Sequence, residues 1–313
     1  MSPTQAPLTE SAILAEGAVI ERLRRDPAVR LDPLILNAAL LFDPAGKRAL
    51  GAIYAEYIAI GAEHDLPLTL CTPTWRANPE RVRLASSRCC EEVNEAAVAF
   101  LQETRSSSGP YARKILIAGL LGCRGDAYHP REGLEEEASL RFHASQARAL
   151  AQAGADFLLA ATLPAAGEAR GLAGAMSATG TPYVLSFVLR PAGTLLDGTP
   201  LHKVIRWIDA HVDPPPLGYW ANCTHPSAFS AALRVERQRD PEISARMIGL
   251  QANASARPPE ELDGSARVFA EDAGKLADMM IALRQEFGTR VLGGCCGTDG
   301  RHIRAIAQRL ACT

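Results

Sequence analysis

Eight short apolar runs punctuate the chain, and most are followed by a helical pattern. They are SAILAE (11–16), LPLTLCTP (66–73), KILIAGLLG (114–122), DFLLAATLP (156–164), PYVLSFVLR (182–190), GYWANCT (218–224), RMIGLQAN (246–253) and RVLGGCCG (290–297). The clearest of them do not alternate apolar with polar residues. A strand written this way is buried on both faces, which is the condition of a parallel sheet covered by helices. Between the runs lie long helical stretches such as 46–65 and 140–156. In the second, Leu140, Ala144, Ala147, Leu150 and Ala151 recur at helical spacing, and Gly154 is placed to end the helix. Eight βα units in about three hundred residues predict an α/β fold, a (β/α)8 barrel in one domain spanning residues 1–313. A doubly wound open sheet is the second choice. The sequence contains no internal repeat, low-complexity segment or linker, and SSSGP (106–110) and RPPEELDGS (257–265) read as loops inside the alternation.

The charge balance excludes several partner classes. A formal net charge of −2 leaves no electrostatic footprint for nucleic acid or anionic lipid. The opening MSPTQAPLTESA lacks the basic and apolar regions of a secretory signal, and runs such as ILIAGLLG are too short to span a bilayer. A cytoplasmic location is therefore expected, where thiols stay reduced. The eight cysteines then do not form a disulfide framework, and Cys89, Cys90 and Cys312 are expected to be small buried hydrophobes in helical stretches.

The remaining cysteines carry the chemistry. In VLGGCCGTDG (291–300), Cys295 and Cys296 are adjacent. Neighbouring cysteines bridge poorly to each other, and a regular strand points them to opposite faces. Gly293, Gly294 and Gly297 suggest a strand that breaks into a turn, with backbone angles open to glycine that let two thiolates converge. In a (β/α)8 barrel the site lies where strands end, and Cys223 ends the sixth strand as the pair ends the eighth. Strands of the same parity share a layer, so three thiolates can meet around one soft metal, and zinc with three protein ligands keeps a position for substrate. A redox-active pair and a nucleophilic cysteine remain as alternatives, because Cys71 and Cys123 also fall near strand ends and no CxxC spacing is present. Arg124, Asp126 and Tyr128, after the third strand, are expected at the same mouth. Trp75 offers a π face to a cationic donor.

ANCTHP (221–226) together with VLGGCCGTDGRHIRAIA (291–307) resembles the paired cysteine motifs of the homocysteine S-methyltransferase family. LLDGTPL (195–201) matches a further family segment, and AEGAVIERL (15–23) looks like a drifted first-strand motif. The resemblance implies a zinc-bearing barrel that moves a methyl group from a sulfonium or quaternary ammonium donor to a thiol, homocysteine or a relative of it. It assigns Zn2+ to Cys223, Cys295 and Cys296. It implies substrate contacts for Glu16, Gly17, Asn222 and Gly294, with Glu16 in the place of an aspartate. Two positions depart from the pattern. Ala161 stands where the family carries an acidic residue before Thr-x-Pro, and Pro73 replaces an asparagine while Trp75 keeps the aromatic that follows. Asp126 and Glu16 are the carboxylates left to meet a substrate ammonium. The expected partners are a small-molecule thiol and a methyl donor, with no nucleic acid and no membrane. A non-catalytic or thiol-sensing zinc barrel is the rival. A corrinoid- or folate-coupled module is disfavoured, since the sequence holds no second domain for it.

Overall fold

In the computed structural model, which describes residues 8–258, 261 and 269–312, eight parallel strands close on themselves. They are β1 (Ile13–Ala15), β2 (Leu68–Cys71), β3 (Ile115–Gly122), β4 (Phe157–Leu163), β5 (Tyr183–Phe187), β6 (Gly218–Thr224), β7 (Met247–Ala252) and β8 (Val291–Gly294). Each pairs with the next in sequence, and Ile13 against Val291 closes the ring. The (β/α)8 barrel is therefore the fold, and the open sheet is excluded. The match at all eight apolar runs has a simple cause: a strand covered on both faces is apolar at most positions, which leaves a signal that needs no periodicity. Of the loop expected at 257–265, residues 259–260 and 262–265 lie outside the described residues. Among those described, no helix is long and apolar enough to cross a membrane.

The core has two layers. Outside the ring, Leu14, Leu70, Ile117, Leu158, Leu185 and Leu292 face the helices. Inside it, Phe157 and Trp220 pack edge-on with ring centroids 6.0 Å apart and plug the barrel. Above them the inward positions are small, among them Ala161 and Ser186, and this leaves room at the mouth. The helices start where their sequences allow. Asp43 accepts a hydrogen bond from Gly46 N (2.6 Å) with Pro44 at the first helical position of Pro44–Glu63.

Helix Glu136–Gln152 departs from expectation. Leu140 is exposed, at 43%, while Ser139, His143, Gln146, Ala147 and Leu150 are buried. Gly154 does follow the helix end in the left-handed region, with φ of 88°. The buried stripe is written partly in polar residues, because each has a partner behind the barrel mouth. His143 Nε2 lies 2.9 Å from Glu168 Oε1, Ser139 Oγ donates to Glu168 O (2.8 Å), and Gln146 Nε2 donates to Thr74 O (3.0 Å). Glu168 Oε1 also accepts from Arg124 N (2.7 Å) and so fixes the start of the loop after β3. Two further expectations are corrected: Cys89 caps helix Cys90–Ser106 and is exposed, and Cys312 is exposed beyond the last helix, so neither is a core residue.

Candidate metal centre and substrate cavity

The three sulfurs meet at the barrel mouth. Cys223 Sγ lies 2.9 Å from Cys295 Sγ and 3.9 Å from Cys296 Sγ, and all three lie within 4.8 Å of one another. β8 ends at Gly294, and the pair sits in the turn that follows, as the run of glycines suggests. Only Gly297 takes a left-handed angle there (φ 81°). Gly293 and Gly294 serve close approach instead, since a Cβ on either would strike Ala15 or Thr298 respectively. Cys295 N donates to Ala252 O (2.7 Å) and Gly294 N to Glu16 O (2.9 Å), which stitches the turn to both neighbouring strands.

The cluster fits zinc. Tetrahedral zinc with Zn–S bonds near 2.3 Å places its sulfurs about 3.8 Å apart, close to the Cys223–Cys296 spacing. The Cys223–Cys295 pair needs to open by less than about 1 Å to join it. Hydrogen bonds from Cys223 and Cys296 hold Cys295 well below the ordinary thiol value, and donating those bonds pushes Cys223 and Cys296 well above it. A soft dication relieves this crowding by taking all three as thiolates.

The cluster forms one wall of a cavity of about 430 Å3. Glu16, Gly17, Trp75, Ala161, Asn222 and Gly294 line it, as does Pro73. Glu16 is buried; its Oε2 accepts from Cys71 N (2.9 Å), and burial pushes its carboxyl up to about 8. It is therefore mostly neutral at pH 7. Asp126 does not line the cavity. Its carboxylate is committed to Tyr128 N (2.7 Å) and His129 Nδ1 (3.4 Å), so it shapes its own loop. Trp75 presents less free surface than expected, because the Arg76 guanidinium lies 4.1 Å from its ring centre. Asn222 spends most of its side chain on neighbouring strands, accepting from Thr162 N and Ser186 Oγ (2.8 Å each). Arg124 turns away from the cavity to pair with Glu80 (2.9 Å).

Tyr128 is the loop residue that reaches the metal centre. Its phenol lies beside the three sulfurs, and burial first, then those neighbours, pushes it well above the usual phenol value, so it stays neutral. Gln251 and Asn253 also line the cavity and escaped the sequence reading. Two polar residues at the end of an otherwise apolar strand, QAN at 251–253, were the available signal.

Comparison with known proteins places these observations. A family model described as homocysteine S-methyltransferase matches residues 13–310. A homocysteine S-methyltransferase of Bacillus subtilis is 26% identical, covering 98% of this chain and 97% of that protein. Its counterpart in Escherichia coli is also 26% identical, with 96% of each chain covered. The solved structure of the homocysteine methyltransferase MmuM from Escherichia coli, in its oxidized form, superposes with a TM-score of 0.76 at 24% identity, over 96% of this chain and 97% of that one. The metallated form of the same protein gives the same score at 23% identity.

Proposed function

We propose, from the premise that this chain belongs to the homocysteine S-methyltransferase family, that it moves a methyl group from a sulfonium or quaternary ammonium donor to homocysteine or a related thiol. The chain is a zinc-dependent S-methyltransferase; the donor, the acceptor and the residue roles are our reading. The observation that carries it is the convergence of Cys223, Cys295 and Cys296 on one wall of the cavity. Cys223, Cys295 and Cys296 would hold zinc, whose Lewis acidity would let an acceptor thiol give up its proton to solvent at neutral pH. The acceptor sulfur then forms its bond to the methyl carbon while the donor C–S or C–N bond breaks. The electron pair leaves with the donor heteroatom, which becomes a neutral sulfide or tertiary amine.

The chain's own residues bind and orient. Tyr128, a neutral phenol, lines the cavity beside the cluster and covers one side of it. Glu16 presents the one buried carboxyl among the described cavity-lining residues, neutral until a cation enters and then able to ionise against it. Ala161, in the place of the family's acidic residue, offers nothing to an ammonium. This supports an acceptor that either lacks an α-amino group or is held through Glu16. Gly17 and Gly294 keep the backbone close to the acceptor, and Trp75 with its Arg76 partner borders the donor's approach. Both substrates are small molecules. Eight free cysteines, three of them clustered, suit a reducing compartment, and we propose the cytoplasm.

The test is methyl transfer by zinc-loaded protein to homocysteine and to 3-mercaptopropionate, from S-methylmethionine and from betaine, read by mass spectrometry. Zinc-dependent formation of at least one S-methyl product, abolished in Cys296→Ser, is expected. No product from any pair would overturn the reading.

A further inference from the structure

Cys223 stands where a regular strand would point it away from the metal. Along β6, Trp220 packs inside the barrel and Ala221 faces the helices. Alternation then puts Asn222 inside and Cys223 outside. Its sulfur nevertheless lies at the mouth beside Cys295. The backbone supplies the reason: Cys223 has φ of 49°, and the β6–β7 register shifts between Asn222 and Thr224. This is a bulge that re-aims one side chain.

β4 repeats the device. Thr162 has φ of 61°, and the β4–β5 register shifts between Ala160 and Leu163. A left-handed angle is unusual for any residue but glycine and a true outlier for a β-branched one. Such angles persist only where the surroundings over-determine them. Here the surroundings are one carboxamide. Asn222 Oδ1 accepts from Thr162 N (2.8 Å) and from Ser186 Oγ (2.8 Å), and its Nδ2 donates to Thr162 Oγ1 (2.6 Å). All four groups are buried. The side chain thus ties β4, β5 and β6 together one residue before Cys223. On the other side, Thr224 is anchored as well: its hydroxyl accepts from Leu189 N (3.1 Å) and its carbonyl from Asn253 N (3.2 Å).

We propose that Asn222 is a positioning residue that presets Cys223 as a metal ligand, with Thr162 and Ser186 as its partners. The inference rests on the zinc reading of the cluster. Between two fixed points the Cys223 backbone has no freedom to relax into the regular strand, so its thiolate is aimed before the ion arrives. Without the carboxamide, Cys223 can swing toward its alternation-determined side, and part of the metal's binding free energy goes into bringing it back. Partners that orient metal ligands are typically worth 10–100-fold in metal affinity.

The experiment measures the zinc dissociation constant of the full chain by competition with a chromophoric chelator. Cobalt(II) absorption and far-UV circular dichroism are recorded on the same samples. Asn222→Ala is expected to bind zinc about 10–100-fold more weakly with unchanged secondary structure, and to lose thiolate-to-cobalt charge-transfer intensity. Asn222→Asp, which keeps the acceptor for Thr162 N and Ser186 Oγ, is expected to recover most of the affinity. Zinc binding by Asn222→Ala within about twofold of the parent overturns the proposal. If that variant does not fold, Ser186→Ala decides: a several-fold loss supports the clamp and an unchanged constant refutes it. Cys223→Ser in the same assay separates the two levels. Undiminished affinity there sinks the metal-site reading itself, whereas loss there without loss in Asn222→Ala sinks the clamp alone.

Discussion

Glu16→Gln should make the protein more stable as pH rises, relative to the parent. In the parent, burial lifts the Glu16 carboxyl from an ordinary 4.5 to about 8, opposed by the hydrogen bond from Cys71 N. The native state therefore holds a proton that the unfolded chain releases above pH 4.5. A group raised in this way contributes no penalty below the unfolded value and a growing one as pH climbs toward the folded value. The slope is about 1.4 kcal/mol per pH unit, and the full penalty reaches at most about 5 kcal/mol. Glutamine keeps an oxygen for the Cys71 amide and does not titrate. Between pH of about 5.5 and 7.5 the parent should thus lose about 2–3 kcal/mol against Glu16→Gln. The assay is urea unfolding at closely spaced pH values, on metal-free, reduced protein so that Glu16 responds to the chain's own charges. If the two stabilities run parallel over this window to within about 0.5 kcal/mol, Glu16 titrates normally and the account of a neutral carboxyl awaiting a cation is wrong.

Cys223→Ser and Cys296→Ser should each lose zinc on gel filtration, while Cys123→Ser, whose thiol is buried behind the mouth, should retain it; loss confined to the third would reassign the ligands. Chelation should stop methyl transfer and, in air, link Cys223 to Cys295, whose sulfurs already lie 2.9 Å apart, so that zinc restores activity only with reductant. Peptide mapping that finds no such link would contradict the geometry. Ala161→Glu should favour homocysteine over 3-mercaptopropionate by about ten- to a hundred-fold in KM, the worth of a hydrogen bond to a charged group. A parent that already prefers homocysteine by that margin would defeat the altered-acceptor idea.

The strands were legible in residue type alone, and the three cysteines that converge were picked out by the resemblance of ANCTHP and VLGGCCGTDG to a family's paired motifs. Burial on both faces keeps a strand apolar at most positions, which leaves a signal without any periodicity. What was not legible depends on partners distant in sequence. Leu140 looked like core and is exposed, because His143, Gln146 and Ser139 took the inner face once Glu168 and Thr74 were there to bond them. Asp126 was placed correctly after β3, but its own loop amide claimed the carboxylate. Trp75 reached the cavity with a face already taken by its chain neighbour Arg76. The convergence of Cys223 could not follow from alternation, which points it the wrong way. It required left-handed angles at Cys223 and Thr162, and neither residue type advertises one.

The closure of β8 onto β1 also orders events in time. Cys223 leaves the ribosome 72 residues before Cys295, and Glu16 precedes both. A nascent chain halted before Val291 carries one of its three sulfurs, an open edge on β1 and another on β7, and no turn for Gly294 to join to Glu16. The full set of three sulfurs is therefore available only once β8 has been made. The last strand to be made is the one that both seals the wall and brings the remaining two sulfurs.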